Sequence, residues 1–255
     1  MLFTIDVGNT NILMGLYDGD ELKHYFRLKT DRFRTSDEYA SELINLFKLN
    51  NLDFNDVTDV IMSSVVPLVD HSLIHFVKKY IEKEPMIVGP GIETGLKIKY
   101  EDPKQVGADR IVNAVAAFET YKKALIVIDF GTATTFCAIS SQGEYLGGVI
   151  SPGINISLEA LYSKASKLPR TEIKKPARVI GKTTIEAMQS GVVYGYAGLV
   201  DRTVLEIKNE MSEKDVFVVA TGGLANTVIE FTETIDSVQS FLTLDGLRKI
   251  FLKNK

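Results

Sequence analysis

The sequence of 255 residues contains a single cysteine, Cys137, which lies in an apolar run. One cysteine cannot form a disulfide within the chain, which is typical of a reducing compartment, and we expect Cys137 to be a buried strand residue. No apolar stretch reaches the 18 residues that indicate a membrane-spanning helix. No basic segment precedes the first apolar run, so a secretory signal peptide is not predicted. These absences predict a cytoplasmic protein without a membrane partner.

An excess of positive charge is also missing. The formal net charge is −4 at pH 7. Nucleic acids and anionic membranes attract basic surfaces, so neither is expected as the main partner. The chain is long enough to bury a sizeable core without disulfides or a structural metal.

Several common nucleotide and metal motifs are absent. No G-x-G-x-x-G follows a predicted strand. The tripeptide Gly181-Lys182-Thr183 resembles the end of a P-loop, but Pro176 stands where that loop requires glycine. His71 and His75 are four residues apart without a glutamate after His71, so we interpret them as ordinary surface or packing residues.

One pattern, by contrast, occurs twice in the chain. Apolar strands end in Asp6-Val7-Gly8-Asn9-Thr10-Asn11 and in Asp129-Phe130-Gly131-Thr132-Ala133-Thr134. Each turn brings a carboxylate, backbone N–H groups and hydroxyls together, and these groups can hold phosphate and a metal ion. Alternatively, such turns only satisfy their own backbone. Two copies about half a chain apart predict two similar domains facing each other across a nucleotide.

The order of elements supports this duplication. Strand 2–7 is followed by a hairpin, 11–17 and 22–28, around Asp18-Gly19-Asp20, and strands 125–130, 134–140 and 144–150 repeat the order. Helices are predicted near 36–47, 69–83, 108–121 and 183–209, with a strand at 215–220. Strands alternating with helices indicate an α/β fold.

Three further segments have competing interpretations. Gly107-Ala108-Asp109-Arg110 enters a helix, where the aspartate is either a helix cap or a proton acceptor. The basic segment 163–182 is either a solvated loop or an electrostatic funnel for anions. Gly222-Gly223 is either a plain turn or part of a nucleotide site.

Gly191, Gly195 and Gly198 fall near one face of the predicted helix 183–209. Glycine is costly inside a helix, so its repetition there predicts close packing against another helix, either of this chain or of a second subunit.

These motifs, taken in order, resemble those of the type III pantothenate kinases of the acetate/sugar kinase–Hsp70–actin superfamily. The resemblance also includes Pro152-Gly153 and Gly181-Lys182-Thr183-Thr184, and it extends over the whole length. It implies duplicated actin-like (ribonuclease H-like) domains with mixed five-stranded sheets and a cleft between them. We expect an N-terminal domain over 1–115 and a C-terminal domain with a dimerisation helix over 116–255.

The resemblance also implies a reaction, the phosphorylation of pantothenate by ATP at the start of coenzyme A biosynthesis, in a homodimer. Asp109 is the implied catalytic proton acceptor. Asp6 is implied to orient Mg²⁺, directly or through water, and Asp129 to hold K⁺ or NH₄⁺. Implied ATP contacts are Asp6, Val7, Gly8, Asn9, Thr10, Asn11, Ile12, Leu13 and Thr132. Implied pantothenate contacts are Tyr100, Gly107, Ala108, Asp109, Arg110 and Thr184.

Two other functions remain open on sequence grounds. One is a non-catalytic regulatory relative of the same family. The other is a different member of the superfamily, such as a sugar kinase or a phosphatase of polyphosphate. The intact Asp109 and both phosphate turns argue against a protein that has lost its activity.

Overall fold

The first sheet contains the hairpin that the sequence predicts, and the structure confirms it. Gly19 adopts a positive φ of +59° in the turn that joins the two hairpin strands. The strand order is β3-β2-β1-β4-β5, in which β1 and β2 are antiparallel while β1 and β4 are parallel. The strands are β1 (Leu2–Val7), β2 (Asn11–Asp18), β3 (Glu21–Lys29), β4 (Asp59–Ser64) and β5 (Met86–Ile87).

The second sheet repeats this order and adds one strand. Its strands are β6 (Lys97–Ile98), β7 (Leu125–Phe130), β8 (Ala133–Ile139), β9 (Glu144–Pro152), β10 (Phe217–Thr221) and β11 (Ser237–Val238). The order is β11-β10-β7-β8-β9-β6. Five of these strands match the first sheet one for one. The sixth, β6, pairs in parallel with the edge strand β9, so this sheet has six strands rather than the five expected.

Seven α-helices connect and cover the sheets. Capping boxes start two of them, with Thr35 and Glu38 before the first helix and Thr183 and Glu186 before the longest. Both starts lie within a residue of the predicted positions. The helices are α1 (Ser36–Leu49), α2 (Pro67–Phe76), α3 (Ala108–Tyr121), α4 (Ile154–Lys164), α5 (Thr184–Met211), α6 (Ala225–Val228) and α7 (Leu242–Asn254).

The computed structural model describes residues 1–255, which separate into two compact units. Unit 1 comprises Met1–Gly95, Asp102–Glu119 and Leu242–Lys255, and unit 2 comprises Leu96–Glu101 and Thr120–Phe241. This division differs from the expected boundary at 115/116, because the chain crosses between the units more than once. The C-terminal helix belongs to unit 1, and the short segment that carries β6 belongs to unit 2.

The core of unit 1 lies on one face of its sheet. Phe3, Ile5 and Val7 of β1 are fully buried and belong to one apolar cluster with Leu43 and Phe47 of α1. The alternate residues of β1 face the other side, as the pleat of a strand requires. There α7 packs so closely on α3 that a Cβ on Gly246 would meet the carbonyl oxygen of Val112. Close packing at this point explains why residue 246 is glycine.

The core of unit 2 likewise lies on one face of its sheet. Ile126, Ile128 and Phe130 of β7 share an apolar cluster with Ile154 of α4 and Val200 of α5. The intervening residues of β7, including Asp129, point to the opposite face. Asp6 of β1 and Asp129 of β7 therefore both project away from the main apolar cluster of their unit.

None of the helices combines the length and apolar character that a bilayer crossing requires.

Candidate active site

Asp6 is oriented by a buried hydroxyl on the neighbouring strand. β1 and β4 run parallel with Asp6 opposite Ser63 in register, so both side chains project from the same face of the sheet. The Ser63 hydroxyl donates a hydrogen bond to Asp6 Oδ1 at 2.7 Å, and Ser63 is fully buried. A donor held this firmly stabilises the ionised carboxylate and fixes its direction.

The turn that follows Asp6 is short and closes on itself. The N–H of Gly8 donates to the carbonyl oxygen of Asn11 at 3.0 Å, and β2 then begins at Asn11. Because this N–H bond is internal to the turn, any phosphate contact would depend on later N–H groups. Asn9, Thr10 and Asn11 are exposed. Val7 and Ile12, which flank the turn, are fully buried, so they can contribute only their backbone.

Asp109 lies in the first turn of α3, where its side chain folds back over Gly107. The backbone N–H of Arg110 donates to Asp109 Oδ1 at 2.8 Å. A Cβ on Gly107 would lie 2.6 Å from that same oxygen, so a larger residue at 107 would require the carboxylate to shift. Burial raises the pKa of the Asp109 carboxyl above its usual range, and the hydrogen bond and positive charge of Arg110 oppose that shift.

Unit 1 brings this segment to the same edge of its sheet as the turn after β1. Val65 follows β4, and its N–H donates to the carbonyl oxygen of Val7 at 3.0 Å. Val65 Cγ1 also lies 3.7 Å from the position of a Cβ on Gly107. The chain around Asp109 therefore lies at the carboxyl ends of β1 and β4, the edge at which open α/β sheets bind ligands.

The Arg110 side chain is largely buried, with 6% of its surface exposed. Its guanidinium is consequently not exposed to solvent. Ala108, the residue two before it, is half-buried in the first turn of α3.

In unit 2, Asp129 occupies the same position in its strand as Asp6. It is the fifth residue of β7, and it lies opposite Thr221 of β10 in register, as Asp6 lies opposite Ser63. The Thr221 hydroxyl, however, donates to the carbonyl oxygen of Gln239 at 2.7 Å. Gly222, at φ +95°, approaches so closely that a Cβ there would lie 2.5 Å from Asp129 Oδ1. The backbone at Gly222 therefore forms one wall of the space around Asp129.

Three other predicted contacts also lie in unit 2. Thr132 is exposed in the turn after β7, and its carbonyl oxygen accepts a hydrogen bond from the N–H of Gly153 at 3.1 Å. Tyr100 follows β6, and its ring carbon Cε2 lies 3.7 Å from the position of a Cβ on Gly147 of β9. Thr184 is exposed at the first position of α5.

A comparison with known families bears directly on these residues. The family model described as type III pantothenate kinase matches residues 2–206, most of the chain. The chain belongs to the type III pantothenate kinase family.

The fold of this family member is shared with several solved structures. A protein assigned to the Baf family of transcriptional activators from Campylobacter jejuni is 19% identical, with a TM-score of 0.62 and coverage of 99% of this chain and 98% of that chain. The inorganic polyphosphate/ATP-glucomannokinase from Arthrobacter sp. strain KM is 14% identical, with a TM-score of 0.51 and coverage of 99% and 98%. Component A of (R)-2-hydroxyglutaryl-CoA dehydratase from Acidaminococcus fermentans is 15% identical, with a TM-score of 0.53 and coverage of 99% and 97%. At these identities the likeness shows the fold, and the predicted actin-like class is confirmed.

The sequence does not predict two contacts that the structure shows, one in unit 1 and one in unit 2. Ser63 lies in a strand that is read simply as buried, and only the register with β1 shows that its hydroxyl meets Asp6. Gly222 was noted as part of a glycine turn, whereas its contact with Asp129 depends on the parallel pairing of β10 and β7. One sequence signal could have indicated Ser63. It is a hydroxyl residue near the end of a strand that pairs with the strand carrying the aspartate.

We expect Gly222→Ala to destabilise the protein by about 1–3 kcal/mol, because the new methyl group would overlap the Asp129 carboxylate at a positive φ. The matched control is Gly223→Ala, since a Cβ at the adjacent position has no atom within 4 Å. Chemical denaturation of both variants measures the difference. Equal stability of the two variants would contradict the close approach at Gly222.

Proposed function

We propose that this protein transfers the terminal phosphoryl group of ATP to the primary hydroxyl of pantothenate, the first step of coenzyme A biosynthesis. Membership of the type III pantothenate kinase family supports the substrate. The observation that carries the chemistry is the position of Asp109, a carboxylate with a raised pKa at the edge where β1 ends in Asp6. Both features lie within unit 1.

Asp109 is the proposed proton acceptor. As the pantothenate oxygen forms its bond to phosphorus, the bond from phosphorus to the ADP oxygen breaks and the hydroxyl proton passes to Asp109. A base works best when its pKa lies near the working pH, so the burial that raises the pKa of Asp109 favours this role. The Arg110 N–H bond holds the carboxylate in one direction.

Asp6 is the proposed ligand of Mg²⁺, directly or through water. Mg²⁺ is bound in proteins by one or two carboxylates together with waters and substrate phosphates, and a single carboxylate fixed by Ser63 fits that requirement. Bound there, the ion would neutralise phosphate charge. The proposed nucleotide contacts are residues 6–13 and Thr132.

Asp129 is the proposed site of a monovalent cation, K⁺ or NH₄⁺. The chemistry of the site fits a cation, because the Asp129 carboxylate lies close to the Gly222 backbone and 3.7 Å from the position of a Cβ on Gly131, in the exposed turn after β7. The proposed pantothenate contacts are Tyr100, Gly107, Ala108, Arg110 and Thr184.

A coupled assay of ADP release tests the reaction. With ATP, Mg²⁺ and K⁺ present, we expect ADP release that depends on pantothenate and falls when Na⁺ replaces K⁺. Hexoses and N-acetylated amino sugars in place of pantothenate serve as the control acceptors. Turnover of a sugar without turnover of pantothenate would identify another kinase of the superfamily, and binding without any turnover would identify a regulatory protein.

Asp109→Asn should lower kcat by about 10²–10⁴-fold while ATP binding persists, since the amide cannot accept the proton. The matched control is Asp102→Asn, because Asp102 caps a short helix through the N–H of Lys104 and an asparagine can still do so. Normal turnover of Asp109→Asn would remove Asp109 from its role.

The pH dependence of the wild type gives a second test. An exposed aspartate is half protonated at about pH 4. Because the pKa of Asp109 is raised, this group takes up its proton at a higher pH, so kcat/KM should already decline on acidification above that value.

We also propose that the protein is a homodimer joined through α5. Gly191, Gly195 and Gly198 were predicted to pack closely on another helix, yet a Cβ at any of them would have no atom within 4 Å. Gly191 and Gly195 line an open groove of about 280 Å³ together with Leu161 of α4. Leu161 is 41% exposed.

The cost of these glycines points to a second copy as the occupant. Each costs about 1 kcal/mol relative to alanine within a helix, with no compensating contact in this chain. A helix of a partner subunit could approach the bare backbone closely and cover the apolar wall of the groove. Leu205 of α5, two helical turns beyond Gly198 and so on the same face, is 49% exposed.

Gly195→Leu should fill this groove and shift the protein towards the monomer without unfolding it, because the position is open within the chain. Ser41→Leu is the control, since it adds the same side chain at an exposed position of α1. Sedimentation velocity over a range of concentrations measures the change. A wild type that remains monomeric throughout, or a dimer that tolerates leucine at 195, would exclude α5 as the interface.

A further inference from the structure

Thr30 makes two hydrogen bonds to the turn that follows Asp6. It is the first residue after β3, and it is half-buried. Its side-chain hydroxyl donates to the carbonyl oxygen of Gly8 at 2.6 Å. Its backbone N–H donates to the carbonyl oxygen of Thr10 at 3.0 Å. Two of the carbonyl groups in this turn are therefore held by one residue that belongs to neither flanking strand.

The geometry of the peptide bond links these contacts to the direction of two N–H groups in the turn. Each peptide unit is planar and trans in this chain, so its C=O and N–H groups point in opposite directions. The carbonyl of Gly8 shares a peptide unit with the N–H of Asn9, and the carbonyl of Thr10 shares one with the N–H of Asn11. Because Thr30 draws both carbonyl oxygens towards itself, the N–H groups of Asn9 and Asn11 are directed away from it.

An anion would be sensitive to this orientation. Carbonyl oxygens repel phosphate, whereas backbone N–H groups in a turn attract it. The remaining N–H that starts the turn, that of Gly8, is already bonded to Asn11. Of the other N–H groups of the turn, those of Asn9 and Asn11 belong to the peptide units that Thr30 orients, so Thr30 controls part of the anion-binding capacity of the turn.

We propose that Thr30 is a positioning residue for phosphate binding: it turns the Gly8 and Thr10 carbonyls away from the nucleotide and thereby presents the N–H groups of Asn9 and Asn11 to a phosphate of the nucleoside triphosphate. This inference rests on the proposed function, since it requires the turn to bind ATP. It adds a residue from the end of β3 to a site otherwise built at the ends of β1 and β4.

Threonine is suited to this task. Its hydroxyl supplies a donor that the backbone cannot, and its branched Cβ restricts χ1, so the donor is held in one direction. Serine keeps the donor and loses the branching, whereas valine keeps the branching and loses the donor. The backbone N–H bond to Thr10 is the same in all three, so the effect of the hydroxyl on Gly8 can be measured separately.

The test compares three ligands on four proteins by calorimetry, with competition for the weaker ligands. The ligands are ATP with Mg²⁺, tripolyphosphate as a phosphate without a nucleoside, and adenosine as a nucleoside without phosphate. Thr30→Val should weaken binding of ATP and tripolyphosphate about three- to tenfold, the effect of one lost hydrogen bond, with adenosine binding unchanged. Thr30→Ser should remain within about twofold of the wild type.

The matched control is Thr58→Val. The Thr58 hydroxyl also donates to a backbone carbonyl, that of Met1, at 3.2 Å, but at the opposite end of the β1–β4 pair. It should bind all three ligands as the wild type does. Thr30→Ala removes the same donor without a new methyl group, and it replaces the valine variant if thermal unfolding shows that the latter does not fold.

The outcomes separate this inference from the proposed function. If the wild type binds ATP and phosphorylates pantothenate but Thr30→Val, or Thr30→Ala in its place, binds ATP as tightly as the wild type does, the inference is wrong and the function stands. Equal losses for ATP and adenosine would also overturn it, because they indicate a general structural role. A wild type that binds neither ATP nor tripolyphosphate overturns the proposed function itself.

Discussion

A carboxylate at the end of a buried strand must be matched by hydrogen-bond donors, because an ionised group that is poorly solvated and unpaired is strongly unfavourable. The Ser63 hydroxyl provides such a donor to Asp6, and it can do so because β1 and β4 are parallel and in register. The parallel pairing therefore has two effects. It buries Val7 and Met62 on one face and aligns an acid with a hydroxyl on the other. The rest of the unit 1 site, including the approach of Asp109, is arranged around this edge.

The two units repeat the strand arrangement but not the contacts around the aspartate. Asp6 and Asp129 are both the fifth residue of their strand, and each faces a hydroxyl residue on the next parallel strand. Ser63 donates to its acid, whereas Thr221 donates to a backbone carbonyl instead. Near Asp129 the Gly222 backbone is a close neighbour. The same strand position therefore presents two different environments, and the proposed reaction assigns a different ion to each acid.

Much of the fold could be predicted because local patterns decided it. The Asp-Gly turn specified the first hairpin, the capping residues specified the starts of α1 and α5, and apolar runs ending in Asp-x-Gly marked β1 and β7. Other features depend on partners distant in sequence. β6 is only two residues long within a glycine- and proline-rich segment, so its pairing with β9 has no local signal. The roles of Ser63 and Thr30 depend on strand register and on a contact with a turn about twenty or more residues away, which composition cannot reveal.

The assignment of α7 to unit 1 has a consequence for biosynthesis. This helix begins at Leu242, yet it packs on the face of a sheet whose strands lie within residues 2–87, so it is synthesised well after them. At a translation rate of about 5–20 residues per second, those strands wait on the order of ten seconds or more before their covering helix exists. Part of one face of the nascent sheet therefore lacks its covering helix throughout that interval, and chaperones can bind the apolar surface during this time.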